Sequence, residues 1–100
     1  MIVSQKIAEE IAEEAYLNAG YSPTQYAGYY TIYENQGIDY AIAINKQQDD
    51  ADNNKKYYAI FVSPSESEDT WYEFTDTLDK EELAKKIIDI AQNIQKAEEQ

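Results

Sequence analysis

The sequence predicts a single α+β domain in the order α-β-β-β-β-α, a four-stranded antiparallel sheet with two helices packed on one face. Three observations predict it. Apolar residues recur at helical spacing at both ends of the chain, they alternate with a period of two through the middle, and the connections are short enough for an antiparallel meander. One hundred residues make one domain, able to bury about 60–70% of its unfolded surface. Twelve Ile, ten Tyr, two Phe and one Trp supply the apolar content that a disordered acidic chain lacks.

Residues 4–19 read as the first helix. Ile7, Ile11 and Ala15, with Ala8 and Ala12 beside them, form one face, and Glu9, Glu10, Glu13 and Glu14 fill the other. Ser4 is placed to cap the start, and Gly20 to end the helix in a left-handed turn before the Ser22-Pro23 loop. Residues 28–35 and 38–46 then read as a hairpin around Asn35-Gln36-Gly37. In its second strand Ile38, Tyr40, Ile42 and Ile44 alternate with Asp39, Ala41, Ala43 and Asn45, which turns one apolar face inward.

Residues 46–55 (KQQDDADNNK) contain nothing apolar larger than alanine and are expected to form a solvated loop. A third strand follows over 56–63, closed by Pro64, and an acidic loop over 65–69 leads to a short fourth strand over 70–75. The last helix has the clearest start. Asp79 stands at its N-cap with Glu82 three residues on, and Leu78 and Leu83 sit where a hydrophobic staple would. Leu83, Ile87, Ile90, Ala91, Ile94 and Ala97 continue as its stripe.

If the alternating isoleucines face the helices, the other sheet face carries Ala41, Ala43, Tyr57, Ala59 and Phe61, with Trp71 and Glu73 placed beside them. Such a face is either a partner or homodimer interface, or ordinary sheet aromatics sheltered by loops.

Composition excludes more than any motif includes. Twenty Asp and Glu stand against eight cations, all lysine, for a net charge of −12, and the chain has no Arg, His or Cys. An imidazole base, a thiolate nucleophile and the usual zinc or iron–sulfur ligands are therefore missing, as is the bidentate guanidinium clamp. Asp50 and Asp52 resemble the start of a calcium loop, but Lys55 replaces its glycine and Phe61 its final glutamate. Ser63, Ser65 and Ser67 have no base apart from lysine, and three scattered glycines build no phosphate loop. The expectation is a non-enzyme with no cofactor and no metal. A charge of −12 also repels nucleic acid and anionic lipid, and no apolar run approaches the ~20 residues of a membrane span. Without cysteine or a visible signal peptide, the expected location is the cytoplasm of a bacterial host cell.

The charge is unevenly placed. Residues 47–79 hold nine acids and two lysines, a balance of −7, and residues 5–19 hold four acids and one lysine, −3. Residues 80–100, with five acids and four lysines, are nearly neutral. Glu9/Glu13 and Glu10/Glu14 are like-charge neighbours one helical turn apart, each costing about 0.2–0.5 kcal/mol. Rows such as Glu9/Glu13, Glu66/Glu68 and Glu73/Asp76 have spacings compatible with a phosphate track. Solubility alone would explain about −2 to −8 in a small domain.

The clusters EEIAEE (residues 9–14), DDAD (49–52) and ESED (66–69), with tyrosines throughout a compact acidic domain, give the chain a resemblance. It looks like the phage-encoded DNA-mimic inhibitors, among them anti-CRISPR and anti-restriction proteins and uracil-DNA glycosylase inhibitors. The likeness lies in size, acidity and element order, and it carries over no residue role. It implies a phage or mobile-element origin and a basic, nucleic-acid-binding nuclease or effector as the partner. In that reading Glu9, Glu10, Glu13, Glu14, Asp49, Asp50, Asp52, Glu66, Glu68, Asp69 and Glu73 meet lysines and arginines of the partner, and Tyr57, Phe61 and Trp71 anchor the contact. An immunity or antitoxin-like protein that neutralises a basic toxin would have the same surface. A dimeric structural domain joined through the open sheet face is the other alternative.

Overall fold

The computed structural model describes residues 1–18, 26–49, 55–65, 70–76 and 79–99. Helix α1 (Gln5–Asn18) is followed by strands β1 (Tyr26–Asn35), β2 (Ile38–Asp49), β3 (Lys55–Pro64) and β4 (Trp71–Asp76), and helix α2 (Lys80–Glu98) closes the order. The strands form one antiparallel sheet in the spatial order β1-β2-β3-β4, with both helices on one side. This is the predicted α+β architecture.

Local chemistry starts and stops the elements where the residue types demand. The Ile7 amide donates to Ser4 Oγ at 3.2 Å, capping α1. The Glu82 amide donates to Asp79 Oδ1 at 2.8 Å, which leaves Asp79 as the N-cap of α2. Gln36 and Gly37 both have positive φ, 53° and 81°, as a two-residue hairpin loop requires of its central pair. Gly20, the Ser22-Pro23 loop and the Leu78 side of the staple lie outside the described residues.

The core lies between the helices and one sheet face. Ala8, Ile11, Ala12 and Ala15 of α1 and Leu83, Ile87, Ala91 and Ile94 of α2 are buried against Ile42, Ile44, Tyr58, Ile60 and Val62. The alanines of α1 let that helix sit close, and they rotate its stripe away from Ile7, which is 40% exposed. Ala97 of the predicted α2 stripe is also exposed. In β1 both Ile32 and Tyr33 are buried, which breaks strict alternation. A register shift between Thr31 and Tyr33 explains it: Thr31 pairs with Ala41 and Tyr33 with Tyr40, so the extra residue, Ile32, is turned inward by a bulge.

The expected loop over 46–55 is corrected. β2 continues to Asp49 and β3 begins at Lys55, with Lys46 paired to Tyr58, Gln47 to Tyr57, Gln48 to Lys56 and Asp49 to Lys55. Once the apolar centre fixes the register, backbone pairing propagates outward through residues that are individually poor strand formers. Lys46 is buried on the helix side, and its ammonium donates to the Tyr16 carbonyl at 2.5 Å. It also lies over the Tyr16 and Tyr58 rings, 5.3 and 6.0 Å from their centroids. α1 has no basic residue in its own last turn, so β2 supplies the cation that its C-terminal end favours.

Two tyrosines tie the far end of α2 to the sheet. Tyr33 donates to Glu99 Oε1 at 3.2 Å, and Tyr40 donates to Glu98 Oε1 at 2.6 Å. Burial, then the Glu99 carboxylate, pushes the Tyr33 phenol up from its ordinary range. The hydrogen bond to Glu98 pushes Tyr40 up to about 12.

Candidate partner-binding surface

The acidic candidates divide by structure into three groups. Glu9, Glu10 and Glu13 are exposed on α1 and Glu14 is half-buried beside them. Glu9 accepts a hydrogen bond from Gln5 Nε2 at 3.0 Å, and no described lysine forms an ion pair with any of the four. A cleft of about 250 Å³ lies where Glu9 and Glu13 face Lys80 and Glu81 at the start of α2. Thus a further acid, Glu81, joins this face across the helix pair. Its sequence position in a first helical turn disguised it as an ordinary dipole partner.

The second group has lysine partners. Glu73 is ion-paired with Lys86 of α2, and Asp76 with Lys55 of β3 at 3.1 Å. The Glu73/Asp76 row is therefore no free phosphate-like track. The third group, Asp50, Asp52, Glu66, Glu68 and Asp69, lies outside the described residues. Asp49 is placed only by its backbone, at the end of β2 opposite Lys55.

The expected sides of β4 are reversed. Directly opposed residues of an antiparallel pair share a face. Glu73 stands opposite Ile60, on the helix side of the sheet, and Trp71 is placed by its backbone alone, paired with Val62. The residues opposite Phe61 and Ala59 on the open face are Tyr72 and Phe74. Periodicity could not decide this, because β4 has an aromatic residue at both parities. Tyr57 meets Phe74 edge-on with centroids 5.9 Å apart, and Phe61 meets Tyr72 edge-on at 4.9 Å. The Tyr57 hydroxyl also donates to Gln47 Oε1 at 2.7 Å.

The open face is consequently less open than its sequence suggests. Ala43, Asn45 and Ala59 on it are buried, and Tyr57 and Phe61 are half-buried. Exposure is concentrated at β4, where Tyr72 is 60% and Phe74 64% accessible. Among the described residues no three carboxylates come together as a metal site would need. No helix among the described residues is long and apolar enough to cross a membrane. Comparison of the chain with protein families, curated proteins and solved structures finds no match.

Proposed function

We propose that the protein is an acidic inhibitor that occupies the basic nucleic-acid-binding surface of a defence nuclease, of anti-CRISPR or anti-restriction type, inside a bacterial host cell. The observation that carries this reading is the uneven use of lysine. Glu73 and Asp76 are ion-paired with lysine, whereas among the described residues none of the four glutamates of α1 is, although Lys80 faces Glu9 and Glu13 across the cleft, in a chain already at −12. Like-charge neighbours at Glu9/Glu13 and Glu10/Glu14 work against the helix that carries them. A cationic partner removes that penalty on binding.

The mechanism is competition. The α1 carboxylates, with Glu81 across the cleft, take the lysines and arginines that otherwise hold phosphates, and no bond is made or broken. The long-range field speeds encounter, and desolvated contacts at the centre of the interface set its lifetime.

The test is a DNA-cleavage assay of purified RNA-guided and restriction nucleases titrated with the protein. Inhibition of one of them is expected, relieved by competing DNA and lost when Glu9, Glu10, Glu13 and Glu14 are all changed to Lys. That variant remains folded by circular dichroism, since three of the four side chains point to solvent. Inhibition that survives the charge reversal sinks the α1 reading, and inhibition of none of these nucleases sinks the proposed target class.

A further inference from the structure

The two edges of the sheet are finished differently. The outer edge of β1 is covered over residues 32–34 by the start of the chain: Val3 donates to the Ile32 carbonyl and Glu34 to the Met1 carbonyl, each at 2.8 Å, and Ile2 bridges Tyr33. β1 also carries two register shifts. A covering segment and bulges both keep further strands from adding to an edge. β4 has neither. It follows β3 in unbroken register over all six residues and contains no Lys, Pro or Gly. No described residue pairs with its outer side.

Its charge is also settled from within. Lys86 takes Glu73 and Lys55 takes Asp76, so β4 is a locally neutral strip on a chain of −12. The exposed Tyr72 and Phe74 lie on one side of the strip. On the other, a groove of about 390 Å³ lined by Glu73, Ile90, Asn93, Ile94 and Ala97 separates it from α2.

We infer that β4 is the interface of an isologous dimer, in which β4 of a second copy adds antiparallel and the two sheets join edge to edge. Charge selects the occupant. A basic partner is drawn to unpaired carboxylates, and β4 offers none. Two strips whose carboxylates carry their own lysines meet with less like-charge repulsion than the unpaired acidic faces would, and what remains is the net repulsion between two acidic chains. Antiparallel pairing about a two-fold axis at residue 73 sets Tyr72 beside Phe74 of the second copy, twice, and sets Glu73 opposite its own copy, each with its Lys86 alongside to offset the like charge. Because the β1 edge is covered over residues 32–34 and bulged on either side of Thr31, growth ends at two copies rather than continuing into a fibre. This inference is independent of the inhibitor reading.

Sedimentation equilibrium of the full chain from about 5 µM to about 500 µM is the experiment. The mass is expected to rise toward twice the 11.5 kDa of one chain. Between about 0.05 M and about 0.5 M salt the dimer should tighten about threefold or more, as screening removes the net repulsion. Binding to a basic target moves the opposite way with salt, so failure of one proposal is distinguishable from failure of the other. Phe74→Lys and Tyr72→Lys should each weaken the dimer about tenfold or more, whereas Leu17→Lys, at an exposed site on α1, leaves it unchanged. Amide exchange in residues 71–76 of the unaltered chain should slow as concentration rises, a readout that needs no variant. A monomer at every concentration overturns the inference. So does a dimer that neither β4 substitution disturbs, or one whose concentration-dependent protection lies outside β4.

Discussion

Lys46 shows most directly how one residue's role depends on the fold around it. By composition it opens a polar stretch. In the sheet it is buried, with its ammonium on the Tyr16 carbonyl in the last turn of α1 and two tyrosine rings beneath it. Lys46→Met keeps most of the aliphatic stem and removes the charged donor, and should cost about 1 kcal/mol in chemical denaturation. Lys46→Ala loses the stem packing too and should cost more. A Met variant as stable as the parent would show that the carbonyl contact contributes nothing. The tyrosine anchors predict a pH effect. Tyr40, held up at about 12 against about 10 in the unfolded chain, stabilises fully below pH ~10. That contribution falls as the pH rises through the interval and is gone above ~12. Tyr33, raised in the same direction, adds to the loss. In Tyr40→Phe the alkaline decline between about pH 10 and 12 should be shallower, as read by urea midpoints across the range.

The helices differ in how much of their stability is their own. α2 has an N-cap, acids in its first turn and a lysine in its last. Asp79→Ala should lower stability by about 0.5–2 kcal/mol through the lost cap. α1 has its Ser4 cap but no acid in its first turn and no base in its last, and it carries the like-charge rows. Changing Glu13 to Lys should therefore raise the thermal midpoint slightly while weakening any binding to a basic target. The residue is kept at a cost to the helix if both effects appear. A fall in midpoint would mean that Glu13 is structural. Element order was legible because both periodicities are clean, with Ile42/Ile44 and Ile60/Val62 alternating and Leu83, Ile87 and Ile94 recurring by helical turns. The length of the β2–β3 hairpin was not legible, because Gln47, Gln48 and Lys56 are held by propagated register rather than by their own preference.

At the scale of the molecule the deciding quantity is where −12 charges sit on a body measuring 44 × 28 × 21 Å. With a screening length of about 8 Å at physiological ionic strength, charges at opposite ends barely interact, while those on one face do. Raising salt from about 0.05 M to about 0.5 M should therefore increase thermal stability by relieving repulsion within acidic faces. A midpoint insensitive to salt would show that these charges are already spread far enough apart.

By itself the sequence determined the order of elements, the two caps, the hairpin turn and the acidity, because each depends on near neighbours or on counting. Only the tertiary structure decided which carboxylates have lysine partners. Lys86 reaches Glu73 and Lys55 reaches Asp76 across elements, through the register and the docking of α2. It also decided which face of β4 looks outward. A six-residue strand with aromatic residues at both parities holds no preference until its pairing with β3 is fixed.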